Sequence, residues 1–232
     1  MKSSDRIHVG IIDGGSVDGA FSADLFAFGL SRSSRIDGMV RVEGNLLSRS
    51  RNRVVDYFLE QTRSPWLLML DTDQRLPLTS LDRLIDAAHE VSVPVVSGLV
   101  FAAYLPDPGE LYPKPVPTIY RRVEGRYAPI HDYPRDRLIE VDASGSGCVL
   151  IHRSALETVR DNRPDSIGPA WAWFADGPVG DDWYSEDLAL MRRLEAAGIP
   201  IHAHTGALMP HLKTYTLTEA HHARYLEELA HE

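Results

Sequence analysis

Two carboxylates close a run of apolar residues at Trp66-Leu67-Leu68-Met69-Leu70-Asp71-Thr72-Asp73. A short apolar run of this kind is what a strand buried on both faces requires. Residues i and i+2 of an extended chain face the same side, so Asp71 and Asp73 would sit together where the strand leaves the sheet. In open α/β sheets the ligand crevice lies at that end. Two neighbouring carboxylates repel unless a cation lies near them, and a divalent metal carrying a diphosphate would meet that need. The same pair could instead be loop carboxylates capping the next helix. Asp-x-Asp is a common tripeptide and does not decide between the two.

Other residues invite chemistry. Ser48-Arg49-Ser50-Arg51-Asn52-Arg53 opens a helix with Val54, Val55, Phe58 and Leu59 on its apolar side. Three arginines there oppose the helix dipole, which makes sense if they face an anion such as a diphosphate or the Asp pair; a solvated basic face is the other reading. Ser185-Glu186-Asp187 starts a helix running to Ala197, and Ser185 with two acids in the first turn also suits simple capping. Asp13-Gly14-Gly15-Ser16 ends the first strand, and its glycines allow backbone to approach a ligand, although neither dinucleotide fingerprint is present. Ser144-Gly145-Ser146-Gly147 permits another close approach. Trp171, Trp173 and Phe174 could form a sugar-stacking platform or a piece of core.

The elements that must position these residues follow from periodicity. Strands are expected at Ile7–Ile12, Ile36–Val42, Trp66 onward and Pro94–Val100, alternating with helices at Ala20–Ser31, from Ser48 and at Leu78–Glu90. This alternation implies βαβ units and a mostly parallel sheet. Residues 104–136 are rich in proline and read as loops with short edge strands around Thr118–Arg122. Strands follow at Leu138–Val141 and Gly147–His152, a short helix at Ser154–Arg160, an irregular stretch at Pro164–Gly180 and a last strand at Ile199–Ala203. The tail from Leu217 reads as a helix opened by a Thr216-x-x-Glu219 capping box, with His221, His222 and His231 facing solvent.

Composition narrows the class. The chain has 232 residues, a net charge of −9 and 44% hydrophobic content, ordinary for a soluble α/β domain and unsuited to a broad nucleic-acid-binding face. Arg121, Arg122, Arg126, Arg135 and Arg137 could still form a local anion-binding strip, or be plain surface residues. The single Cys148 rules out an internal disulfide and a multi-cysteine zinc site, and fits a reducing cytoplasm. No apolar run approaches the ~18 residues of a membrane span, and the polar start is not a signal peptide.

Taken in order, Ser50-Arg51-Asn52-Arg53, Leu67–Asp73, Gly145–Ile151, Ser185-Glu186-Asp187-Leu188 with Ala197-Gly198, and Pro210-His211 resemble the GT-A superfamily of nucleotide-sugar glycosyltransferases. The likeness is greatest to short members related to glycosyltransferase family 2, including bacteriophage versions, and spans residues 7–213. It implies a single GT-A, Rossmann-like α/β domain with a mostly parallel central sheet flanked by helices and a small antiparallel portion in the C-terminal half. Residues 1–103 would bind the nucleotide-sugar, 104–213 the acceptor, and 214–232 would form a C-terminal helix.

The resemblance also implies roles. Asp73 would bind a divalent metal, Mn²⁺ ahead of Mg²⁺ because of the imidazole ligand His211. Asp71 would contact the ribose, or the metal through water. Arg51 and Asn52 would touch the diphosphate or brace Asp71, and Asp13 would line the nucleoside pocket. Asp187, or Glu186 beside it, would be the acceptor-side carboxylate that takes the hydroxyl proton. His204 rivals His211, and the first loop lacks a base pocket that would name the donor nucleotide. The acceptor would be a glycan, a virion protein or a modified DNA base, and a phage origin would place the protein in host cytoplasm. A nucleotidyltransferase on a related fold and a non-catalytic nucleotide- or sugar-binding module are the alternatives.

Overall fold

The computed structural model describes residues 6–44, 46–104, 111–162, 172–179 and 182–229. The first part alternates as β1 (Ile7–Asp13), α1 (Gly19–Ser31), β2 (Ile36–Glu43), α2 (Leu47–Gln61), β3 (Trp66–Asp71), α3 (Leu78–Ala87) and β4 (Val95–Leu99). Short strands follow: β5 (Phe101–Tyr104), β6 (Lys114–Pro117), β7 (Ile119–Val123), β8 (Arg126–Pro129), β9 (Leu138–Val141), β10 (Ala143–Ser144) and β11 (Cys148–His152). The chain continues with α4 (Arg153–Asp161), β12 (Gly177–Val179), β13 (Asp182–Tyr184), α5 (Glu186–Ala196), β14 (Ile201–Leu208) and α6 (Glu219–Leu229).

Seven strands form one sheet in the order β2-β1-β3-β11-β4-β14-β9. β2, β1, β3, β4 and β14 run one way; β11 and β9 run against them. Small antiparallel sheets, β5-β6, β10-β7-β8 and β12-β13, are appended. The chain moves from β1 to β2 on one side and then crosses to β3 on the other. The switch point, where crevices open in such sheets, therefore lies between the ends of β1 and β3.

β3 explains why its sequence is a continuous apolar run. Leu67 and Met69 join the core beneath α2, α4 and α5, with Val54, Phe58, Leu156 and Leu190. Leu68 and Leu70 join the opposite core beneath α1 and α3, with Phe21, Phe28, Leu81 and Leu84. Both faces are buried, so no polar alternation survives.

Several boundaries differ from expectation. α3 ends at Ala87, not Glu90, because His89 Nδ1 accepts from the amides of Val91 and Ser92 and pairs the chain back on Val93. The last strand runs on past Ala203 to Leu208, with its register broken where Thr205 bonds the carbonyls of Pro134 and Arg137. The proline-rich stretch holds the short strand expected around Thr118–Arg122, as β7, and further antiparallel strands paired as β5-β6 and β7-β8; residues 105–110 lie outside the described residues. Thr216 does not open the last helix: Thr218 stands before Glu219, and its amide donates to His221 Nδ1. His221 is accordingly half-buried against Tyr112 and Tyr215 instead of facing solvent, whereas His231 lies outside the described residues. Of the arginines that could form an anion-binding strip or be plain surface residues, Arg121, Arg122 and Arg126 pair at the surface with Asp142, Glu195 and Asp182.

Candidate active site

β3 delivers Asp71 to the carboxyl edge of the sheet, and the glycine-rich junction before β11 closes on it. Asp71 N–H donates to the Gly147 carbonyl at 2.8 Å, tying the end of β3 to the start of β11. A Cβ on Gly147 would lie 3.3 Å from Asp71 Oδ2, so the close approach foreseen for this segment is real. α2 brings Arg51 to the same point. Its Nη2 donates to Asp71 Oδ2 at 3.0 Å and its Nη1 to the Ser146 carbonyl at 3.1 Å. Arg51 Nε faces Glu186 Oε1 at 3.5 Å and Asp187 Oδ1 at 3.6 Å. The first turn of α5 is thus held against the end of β3 by one guanidinium.

Of the three arginines at the start of α2, Arg51 faces the carboxylates and is fully buried, whereas Arg49 and Arg53 are exposed. Burial alone would depress the Arg51 guanidinium, but Asp71, Asp187 and Glu186 outweigh it and hold it above its ordinary value. Asp71 is raised by burial, with Arg51 pulling the other way. Glu186 is pushed up to about 7, first by burial and then by the charge of Asp187. Ser185 stands at the N-cap of α5 but its side chain makes no cap hydrogen bond, and Glu186 and Asp187 occupy the first turn, where the helix dipole favours acids.

A second group lies one step beyond, where β14 has left the sheet. His211 pairs with Gln74 in an isolated bridge, and Leu212 N–H donates to the Asp73 carbonyl at 2.7 Å. His211 Nδ1 lies 2.9 Å from the Phe101 carbonyl, which can only accept, so that nitrogen carries hydrogen. Nε2 is thereby turned to Asp73 Oδ2 at 3.0 Å, and because an ionised carboxylate also only accepts, this nitrogen donates to it. Lys213 Nζ approaches the same oxygen at 2.6 Å. Burial would raise Asp73, but the bonds from His211 and Lys213 hold it well below the usual carboxylate range, and His211 is raised by Asp73 in return. His204 sits elsewhere, bonded to the Gly206 amide and facing Asp136 and Arg83.

The remaining site residues act as walls. Asn52 is buried and does not face the crevice. Its amide donates to the Phe174 carbonyl at 2.7 Å and accepts from the amides of Trp173 and Phe174 at 2.7 and 3.0 Å. Arg193 donates to the carbonyls of Ala172 and Trp173. Trp173 and Phe174 are consequently core, which overturns a stacking role for them; Trp171 lies outside the described residues. Asp13 is wholly buried at the end of β1, where it accepts from the Gly15 amide at 2.8 Å and from Arg41 Nε at 2.6 Å.

Buried polar atoms without a partner mark where a site is unfinished. Asp71 Oδ1, Gln74 Oε1 and Ser146 Oγ are such atoms on residues of this cluster, while Arg51 Nε and Asp187 Oδ1 form no hydrogen bond and meet only as an ion pair. Among the described residues no group of three His, Cys, Asp or Glu side chains is arranged to hold a metal. The Asp73–His211 pair nonetheless fits one. An acceptor oxygen and an imidazole nitrogen converge, and the far ring nitrogen is fixed by a carbonyl, as in metal-binding histidines. Gln74 and Lys213 were not foreseen. The signal for Lys213 is its i+2 spacing from His211, which in extended chain puts both on one side.

The fold is α/β, with a mostly parallel central sheet flanked by helices and small antiparallel sheets appended. No family model matches the chain, and no curated protein does. Among solved structures it is similar to GalNAc-T7 with UDP, GalNAc and Mn²⁺, at a TM-score of 0.57 and 9% identity, over 90% of this chain and 43% of that one. It is also similar to A197 from STIV, at a TM-score of 0.50 and 17% identity, over 92% of this chain and 97% of that one. A third likeness, to the inositol-1-phosphate CTP transferase from T. maritima, has a TM-score of 0.48 and 12% identity, with 94% of each chain covered. The fold is therefore GT-A-like. No helix among the described residues is long and apolar enough to cross a membrane.

Proposed function

We infer that the chain is a glycosyltransferase moving a sugar from a nucleotide-diphospho-sugar to an acceptor hydroxyl with the help of a divalent metal, Mn²⁺ ahead of Mg²⁺. The observation that carries this reading is the Asp73–His211 pair. Its carboxylate and imidazole are turned toward one another beside the switch point of a GT-A-like sheet. GalNAc-T7, which shares the fold, was solved with UDP, GalNAc and Mn²⁺, and this supports assigning a nucleotide-sugar and a metal to the present chain.

Asp73 and His211 would hold the ion. When bound, a divalent ion neutralises the negative charge that grows on the leaving diphosphate. Asp71 would face a donor hydroxyl or a metal-bound water while Arg51 holds Oδ2. Asp187 is the better candidate than Glu186 for the acceptor proton. Its side chain is 23% exposed against 10% for Glu186, so an incoming hydroxyl can reach it. Glu186 would then sit behind it and share Arg51. Asp13 would shape the nucleoside side of the crevice through Arg41 and the Gly15 turn.

The test is thermal melting with Mn²⁺ and a panel of nucleoside diphosphates and nucleotide-sugars, with and without EDTA. A ligand that binds only the folded chain raises the melting temperature. Stabilisation by one nucleotide only when metal is present is expected. No stabilisation by any of them would remove the reading, and donor binding with no transfer to water or to protein, glycan or modified-DNA acceptors would leave a binding module.

A further inference from the structure

Lys213 and His211 meet the same oxygen of Asp73. The ammonium lies 2.6 Å from Asp73 Oδ2 and the imidazole 3.0 Å from it. With side chains 45% and 49% exposed, the Lys213–Asp73 pair contributes little to stability. Its position is what matters. The segment carrying Lys213 is fixed by the Gln74–His211 bridge and by the bond from Leu212 N–H to the Asp73 carbonyl. The extended chain therefore aims residues 211 and 213 together at Asp73. A divalent ion held by Asp73 and His211 would share the carboxylate that Lys213 already contacts at 2.6 Å, and the two cations repel at that distance.

We propose that Lys213 is a built-in counter-cation of Asp73 that makes metal binding depend on the diphosphate. This deepens the functional reading given above and rests on it. In the free protein the ammonium satisfies Asp73. A metal arriving alone must displace it and leave it unpaired beside a divalent charge. A metal arriving with a diphosphate offers the displaced ammonium a new anion, which a compact charge on a flexible four-carbon stem can reach. Metal alone then binds weakly and metal with nucleotide binds tightly. By linkage, each ligand tightens the other by the same factor.

The experiment is a Mn²⁺ titration in which the free ion is followed by electron paramagnetic resonance. Wild type, Lys213→Met and Lys213→Arg are compared, without nucleotide and with UDP, GDP, ADP or CDP. Lys213 is half-exposed, and melting in EDTA checks that the variants fold. In the absence of nucleotide, K213M should bind Mn²⁺ about tenfold tighter than wild type, with K213R close to wild type. The tightening of Mn²⁺ by nucleotide should shrink in K213M. Mn²⁺ binding by K213M alone that is unchanged or weaker overturns the proposal, whatever the nucleotides do. Tighter Mn²⁺ binding by K213M with no nucleotide effect in any of the proteins would leave Lys213 as the counter-cation and sink the diphosphate reading.

Discussion

Arg51 reaches Asp71 at 3.0 Å from α2, far along the chain from Asp187 on α5, yet the same guanidinium stands 3.6 Å from Asp187. The two carboxylates assigned to donor and acceptor sides are thus braced by one buried cation. Neither could be placed independently of the other.

Arg51→Met should therefore destabilise the fold by about 3–5 kcal/mol, because it leaves three carboxylates near one another with no cation. Arg51→Lys should recover part of that loss, since an ammonium restores the charge but not the two-pronged geometry. Urea denaturation of both variants at pH 8 checks this ordering.

Glu186 gives a pH dependence whose sign is fixed. Its folded-state pKa is about 7, above the ordinary 4.5, so its ionised form is disfavoured by folding. That penalty is full above about pH 7 and is relieved as the pH falls toward 4.5. Glu186→Gln should be more stable than wild type at pH 8, by about 1–3 kcal/mol, with the difference vanishing near pH 4.5. Denaturation curves at several pH values would show a constant difference if the group were not strained by ionisation.

Asp73→Ala and His211→Ala should abolish the metal-dependent rise in melting temperature and metal-dependent transfer while keeping the fold, as both side chains lie at the edge of the core. Normal turnover by either variant would remove the metal assignment. Asp187→Asn should lower transfer by about 100-fold or more with donor affinity nearly unchanged, the signature of a lost proton acceptor. Equal loss of binding and transfer would move Asp187 to the donor side.

Asn52 makes a different prediction. Its side chain serves two buried amides and one carbonyl of the Trp173–Phe174 segment. Asn52→Ala should cost about 3 kcal/mol through those orphaned groups and loosen the wall behind Arg51. Hydrogen exchange at the Trp173 and Phe174 amides should rise well above that of the strands.

The sequence disclosed what repeats and what is buried. The βαβ alternation, the run ending at Asp71 and the glycines beside Asp71 all follow from local pattern, and each is found near its expected place. It did not disclose direction: Cys148–His152 is a buried apolar run, and such a run is the same for a parallel and an antiparallel strand. Nor did it disclose partners far along the chain. Arg51 was expected to touch the diphosphate or brace Asp71, and it does bond Asp71, but nothing local signalled its approach to Glu186 and Asp187; Asn52, given the same two roles, holds the backbone of Trp173 and Phe174. Trp173 and Phe174 were ambiguous because an aromatic in irregular chain carries no period to say which way it faces.

β11 enters the sheet between β3 and β4, antiparallel to both. During synthesis β3 and β4 emerge long before β11, so each must wait with a hydrogen-bonding edge open until Cys148–His152 leaves the ribosome. Until then β3 has a neighbour on one edge only, and β4, whose neighbours β11 and β14 both come later in the chain, has none. A ribosome stalled before β11 would hold a chain that exposes the very strand on which Asp71 is carried.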